Sequence, residues 1–119
     1  MKKKILICDD DKEITQAGTL FLKDQGYEVK VLNKCELFEE KVKEYRPDLI
    51  LLDLWMSEID GEELTRLIKK DEETQKIPII IISAYRQTEQ KAREAGADDF
   101  IYKPFDIEYL EKMIRKYLT

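Results

Sequence analysis

Reactive side chains in this chain stand at the ends of apolar runs. Asp9 and Asp10 follow "KILIC", Asp53 closes "LILLD", Ser83 closes "IIIIS" and Lys103 follows "DFIY". A carboxylate placed directly after four apolar residues, as Asp53 is, costs free energy to bury unless an opposite charge or a cation meets it. Each position alone has an ordinary role: Asp11 or Asp10 can cap the helix that follows, Asp53 can open a loop, Ser83 can end a strand and Lys103 can lie on the surface. Gathered together they ask for a different chemistry. Three clustered carboxylates raise one another's pKa values. A divalent cation relieves that repulsion, and Mg2+, with Mn2+ as a substitute, takes hard oxygen ligands from one or two carboxylates, waters and phosphate oxygens. With a lysine and a hydroxyl beside them, the set suits a phosphoryl group.

The elements that must bring these residues together are legible from periodicity. Short β-rich runs at 4 to 8, 27 to 32, 49 to 53, 79 to 83 and 99 to 102 alternate with helix-period segments. The first helix carries Ile14, Ala17, Gly18, Phe21 and Leu22 on one stripe and stops at Gly26. The second turns Leu37, Phe38, Val42 and Tyr45 inward before Pro47, and the third opens with "DGEE", where Asp60 and Glu63 can form a capping box, and buries Leu64, Leu67 and Ile68. The fifth buries Leu110, Met113, Ile114, Tyr117 and Leu118. The fourth, around 87 to 95, has only Thr88, Ala92 and Ala95 to turn inward and is expected to be the least firmly held. Five βα units imply an α/β fold, a doubly wound five-stranded parallel sheet with right-handed crossovers. Ligands bind such sheets beyond the carboxyl ends of the strands, where strand order reverses. In the order 2-1-3-4-5 that point lies between strands one and three, beside Asp9, Asp10 and Asp53.

Composition excludes several classes. The chain is one domain, 1 to 119, with 43% hydrophobic and 39% charged residues, the latter well above the usual ~25% and suggestive of an ion-pair-rich surface and a warm-growing source. A net charge of −5 with scattered Lys and Arg argues against direct nucleic-acid binding. "MKKK" leads into an apolar run too short for a signal peptide, and no run is long enough to span a membrane, so a cytoplasmic location is expected. Cys8 and Cys35 lack metal-ligand spacing and read as buried reduced thiols. The absence of histidine excludes histidine-based acid/base and zinc chemistry.

"ICDDD", "LLDLWMSEIDG", "IISAY" and "YKPF", in that order after strands one, three, four and five, closely resemble the receiver domain of two-component response regulators, over essentially the whole chain. That resemblance implies a flavodoxin-like (βα)5 fold of the chemotaxis-regulator kind. Asp53 would be the phosphoacceptor, Asp10 a direct Mg2+ ligand, Asp9 a ligand through water, and the carbonyl of Trp55 a third protein ligand. Ser83 would hydrogen-bond a phosphoryl oxygen and Lys103 would bridge Asp53 and the phosphoryl group, with a cis Lys103–Pro104 peptide. Ser83 and Phe100 would form the switch that moves helix four, strand five and helix five as one face. Trp55 and Tyr85, two residues past Asp53 and Ser83, would stand at the mouth of the pocket. The donor would be the phosphohistidine of a sensor kinase or phosphotransfer protein, and the domain would catalyse only its own phosphorylation and dephosphorylation. The chain departs from the family pattern at Ser57, where proline usually follows the methionine and stiffens the loop, and at Phe100, which lacks a tyrosine hydroxyl.

"CDDDKEIT" also loosely fits the start of a haloacid-dehalogenase-type phosphatase, with Asp9 as nucleophile and Asp11 as acid, but Ile14 displaces the expected Thr or Val and there is no room for a cap domain. A pseudo-receiver is disfavoured because every reactive position is filled, and a flavin or dinucleotide site lacks its glycine-rich loop. Because the chain ends with its last helix, two outputs are open. It is either a stand-alone regulator that relays phosphate or binds a downstream protein, or a receiver separated from an effector. A monomer that dimerises when phosphorylated is expected for the second.

Overall fold

The structure is a computed structural model that describes residues 2–9, 12–33, 36–53 and 61–118, apart from the side chains of 12–15 and 87. Its strands are β1 (Lys4–Asp9), β2 (Glu28–Leu32), β3 (Leu49–Asp53), β4 (Ile79–Ser83) and β5 (Asp99–Tyr102). They alternate with helices α1 (Lys12–Asp24), α2 (Phe38–Tyr45), α3 (Gly61–Lys70), α4 (Glu89–Glu94), preceded by a 3₁₀ turn over Arg86–Thr88, and α5 (Ile107–Leu118). All strands are parallel, in the order β2-β1-β3-β4-β5.

Strands covered on both faces read as continuous apolar runs, and their alternate side chains serve two cores. Ile5, Ile7, Leu49, Leu51, Ile80, Ile82 and Ile101 pack with Leu22 of α1 and Leu110 and Ile114 of α5. Leu6, Cys8, Ile50, Leu52, Ile79, Ile81 and Phe100 pack with α2, α3 and α4. This two-sided alternation decides which way each strand-end residue points. Asp9 continues the Ile5–Ile7 file and Asp53 the Leu49–Leu51 file, so both face α1 and α5. Ser83 continues the Ile79–Ile81 file toward α3 and α4.

Several helix faces differ from the sequence expectation. Leu37 precedes α2 and is 54% exposed rather than core. In α3 the buried stripe is Gly61, Leu64, Thr65 and Ile68, with Leu67 at its exposed margin. Thr65 replaces it because its hydroxyl donates to the Gly61 carbonyl at 2.7 Å, which removes the cost of burying it. Thr88 is exposed and donates its hydroxyl to the Tyr85 carbonyl at 2.6 Å, closing the 3₁₀ turn instead of facing inward. α4 therefore buries Ala92, with Ala95 just past its end. Gly26 adopts φ +100° after α1, as a C-terminal cap requires. The Asp60 cap lies outside the described residues. Cys8 is buried as expected but disulfide-bonded rather than a thiol. Cys35 lies outside the described residues.

Candidate functional site

Strand pairing places Asp9 directly opposite Asp53 at the carboxyl ends of β1 and β3, where strand order reverses. The two carboxylates are 1% and 3% exposed. Lys103, one residue past β5, reaches across the ends of the strands and forms an ion pair with Asp53, both side chains being almost fully buried. Its backbone N–H donates to the Ser83 carbonyl at 2.9 Å, and the Lys103–Pro104 peptide is cis. Mutual attraction in a low-dielectric setting is strong, so the ion pair offsets part of the cost of burying both charges.

The structure thus brings together Asp9, Asp53 and Lys103. Ser83 lies on the adjacent strand end, buried, with its Oγ accepting the Tyr85 N–H at 3.1 Å. Tyr85 is 36% exposed. Phe100 is buried in the core beneath α4 and meets the Tyr102 ring edge-on, centroids 5.1 Å apart and planes at 60°. Asp10, Asp11 and Trp55 lie outside the described residues. Among the described residues no cluster of three metal-ligating side chains occurs. The donor set still fits Mg2+: Asp9 and Asp53 are hard oxygen donors held side by side, and this ion commonly binds through one or two carboxylates and keeps waters.

Sequence reasoning missed Tyr102. It stands opposite Ser83 in the β4–β5 pairing, gives its phenolic hydrogen to Glu89 of α4, and carries the Arg86 guanidinium 4.2 Å from its ring centroid. The signal was alternation from Phe100, which puts Tyr102 on the same sheet face two residues on.

A doubly wound parallel sheet with acid groups and a lysine at its switch point is the arrangement of a signalling receiver domain. Residues 5–115 match the response regulator receiver domain family, and the chain belongs to it. It is 33% identical over 117 residues to the DNA-binding dual master transcriptional regulator RpaA of Synechocystis sp., covering 97% of this chain and 48% of RpaA, so the chain spans about half of that relative's length. It is 31% identical over 121 residues to the polar-differentiation response regulator DivK of Brucella anthropi, covering 99% of this chain and 98% of DivK. A similar solved structure is the receiver domain of a sensor histidine kinase from Pseudomonas aeruginosa, with TM-score 0.87, 24% identity, and coverage of 99% and 98% of the two chains; it is described with magnesium in its active site cleft. The chain is therefore a signalling domain of two-component systems, and the phosphatase reading is not favoured. Among the described residues no helix is long and apolar enough to cross a membrane.

Proposed function

We propose that Asp53 accepts a phosphoryl group from a partner kinase's phosphohistidine in a Mg2+-dependent transfer. The observation that carries this reading is the buried Lys103–Asp53 ion pair with Asp9 in register beside it. Asp9, Asp53 and, from the family pattern, Asp10 and the Trp55 carbonyl would hold the cation. When bound, Mg2+ supplies charge neutralisation at the phosphoryl oxygens. Asp53 attacks in line through its carboxylate, the bond to the donor nitrogen breaks as the acyl phosphate forms, and Lys103 transfers its ion pairing from the carboxylate to the phosphoryl group. The Ser83 hydroxyl, whose oxygen accepts the Tyr85 N–H, would donate its own hydrogen to a phosphoryl oxygen.

Output then follows from the face built by α4, β5 and α5. Displacement of Ser83 leaves space toward which the buried Phe100 can move, and α4 yields because it buries little more than Ala92. The phosphorylated face would bind a downstream protein or a second copy of the chain. Its relatives include both the response regulator DivK, matched over 98% of its length, and the DNA-binding regulator RpaA, matched over 48%. The deciding experiment is intact mass after incubation with acetyl phosphate and Mg2+. A gain of one phosphoryl group, absent in Asp53→Asn and absent without Mg2+, is expected. Labelling that survives in Asp53→Asn and is lost in Asp9→Asn overturns the reading in favour of a phosphatase.

A further inference from the structure

β2 is an edge of the sheet, and among the described residues it pairs with β1 alone. The Glu28 N–H donates to the Lys3 carbonyl at 2.9 Å, so Glu28 turns its backbone groups toward β1. Along a parallel strand these groups point alternately to the two sides. Those of Lys30 and Leu32 therefore face β1 as well, and those of Val29 and Val31 face the open edge. The Tyr27 carbonyl follows the same alternation, while its N–H donates to the Leu22 carbonyl at 3.1 Å. Side chains alternate too. Tyr27, Val29 and Val31 lie half-buried against the α1–α5 core. Glu28 and Lys30 are exposed on the α2 face, where the Lys30 ammonium stands 5.5 Å from the Tyr45 ring centroid.

An open row of backbone groups is a template for another strand, and a lysine within it ordinarily discourages pairing. Glu28, two residues before Lys30, turns that obstacle into a choice of register. Two copies related by a twofold axis pair antiparallel, and their edge-facing residues must oppose one another for hydrogen bonds to form. Centring the pair on Lys30 sets lysine against lysine, and centring it on Glu28 sets glutamate against glutamate, both destabilising. Centring on Val31 sets Lys30 against Leu32 and forms no charge pair. Centring on Val29 sets Glu28 of each copy against Lys30 of the other. In that register the two Val29 residues exchange N–H···O=C bonds and each Val31 N–H donates to a Tyr27 carbonyl. The charge pairs then fall at the non-hydrogen-bonded positions, where side chains approach most closely. On the other face Val29 meets its own copy and Tyr27 meets Val31, which covers the apolar stripe that one chain leaves half-buried.

We infer that β2 binds the β2 strand of a second copy of this chain, antiparallel and centred on Val29, joining two five-stranded sheets into one. This surface is independent of the phosphoacceptor reading. β5 lies at the opposite edge, so the pairing leaves the α4–β5–α5 face free.

Sedimentation equilibrium of the full chain from about 10 µM to about 1 mM spans the affinities expected of so small a contact. The wild type should show a monomer–dimer equilibrium in that range. Lys30→Glu and Glu28→Lys each place like charges opposite one another and should weaken self-association at least ~10-fold. Mixed in equal amounts, the two variants should associate with each other about as well as the wild type does with itself, because one supplies two carboxylates and the other two ammoniums. That rescue also shows that neither variant has lost its fold. A chain carrying both exchanges should likewise regain self-association. In hydrogen exchange the Val29 and Val31 amides should slow as concentration rises, while those of Glu28 and Lys30, already bonded to β1, should not change. A wild type that stays monomeric to about 1 mM, single variants that associate as the wild type does, or a mixture that fails to pair overturns the inference.

Discussion

Tyr102 bonds Glu89 through its phenol while its ring stacks under Arg86, so one β5 side chain holds both the 3₁₀ turn and the first turn of α4. Because α4 buries so little apolar surface of its own, this polar attachment accounts for a large share of what fixes it. Tyr102→Phe keeps the Arg86 stack and loses the Glu89 bond, with an expected stability loss of about 1 kcal/mol. Amide exchange over residues 86 to 94 should accelerate in that variant and accelerate further in Tyr102→Ala. In the wild type, the same region and the rest of 84 to 105 should change exchange when beryllofluoride is bound. A change confined to residues 9 to 11 and 53 to 57 would remove the case for the α4–β5–α5 switch.

The end of α3 is joined to the segments that lead into β4 and β5 by Lys69. Its ammonium donates to Asp98 Oδ2 at 2.8 Å, to the Ile77 carbonyl at 2.8 Å and to the Gln75 carbonyl at 3.3 Å, and Asp98 Oδ2 also accepts the Ile79 N–H at 2.8 Å. Lys69→Met leaves these acceptors without that donor and should cost about 2 kcal/mol, a fall of roughly 6–10 °C in melting temperature for a domain this size. Gly96 is bound to the same junction. Its φ of +108° and a built Cβ only 2.9 Å from Lys69 Cγ mean that Gly96→Ala should destabilise by more than about 1 kcal/mol. Urea unfolding of both variants checks these figures, and a double mutant close to additive would uncouple the two sites.

Burial of the Tyr117 hydroxyl, with help from its hydrogen bond to Asp99, pushes its pKa up to about 12. The phenol donates to Asp99 Oδ2 at 2.9 Å and to the Asp98 carbonyl at 3.1 Å, tying the end of α5 to the start of β5. A folded pKa above the unfolded value means the neutral form is favoured by folding. The contribution is therefore fully present below the unfolded value of 10.0 and is lost as pH rises toward 12. Stability of the wild type should fall between those values more steeply than that of Tyr117→Phe, measured by denaturant midpoint across the range. Parallel curves would mean that Tyr117 does not carry the effect.

The five parallel strands were legible in the sequence because alternate residues of five apolar runs must face opposite layers; periodicity is silent on their order, which the resemblance to receiver domains implies, and the Asp9–Asp53 pairing follows from that order. Helix faces were less so. Leu67 and Thr65 compete for nearly the same stripe, and the choice turned on a hydroxyl bond to Gly61 that hydrophobicity does not encode. Tyr102 was missed for a related reason, since its partners come from another element and no spacing along β5 announces them.

Tyr85 would bear on how long the proposed phosphorylated state lasts. Its backbone is anchored on both sides, the N–H to Ser83 Oγ at 3.1 Å and the carbonyl to the Thr88 hydroxyl at 2.6 Å, so its ring can be replaced without losing either bond. On the phosphoacceptor reading proposed above, hydrolysis of phospho-Asp53 needs a water in line with the acyl phosphate; a bulky ring two residues past Ser83 would obstruct that approach, whereas a carboxylate there would orient the water. Trp55 holds the corresponding position after Asp53. First-order decay in Mg2+ should be faster by about tenfold in Tyr85→Glu, below the full range of a positioned general base because the residue is partly solvated. Trp55→Asn should act in the same direction and the double mutant should decay fastest. Rates unchanged in all three would leave both aromatics with a covering or partner-recognition role and would shift the control of lifetime to Lys103 and the cation.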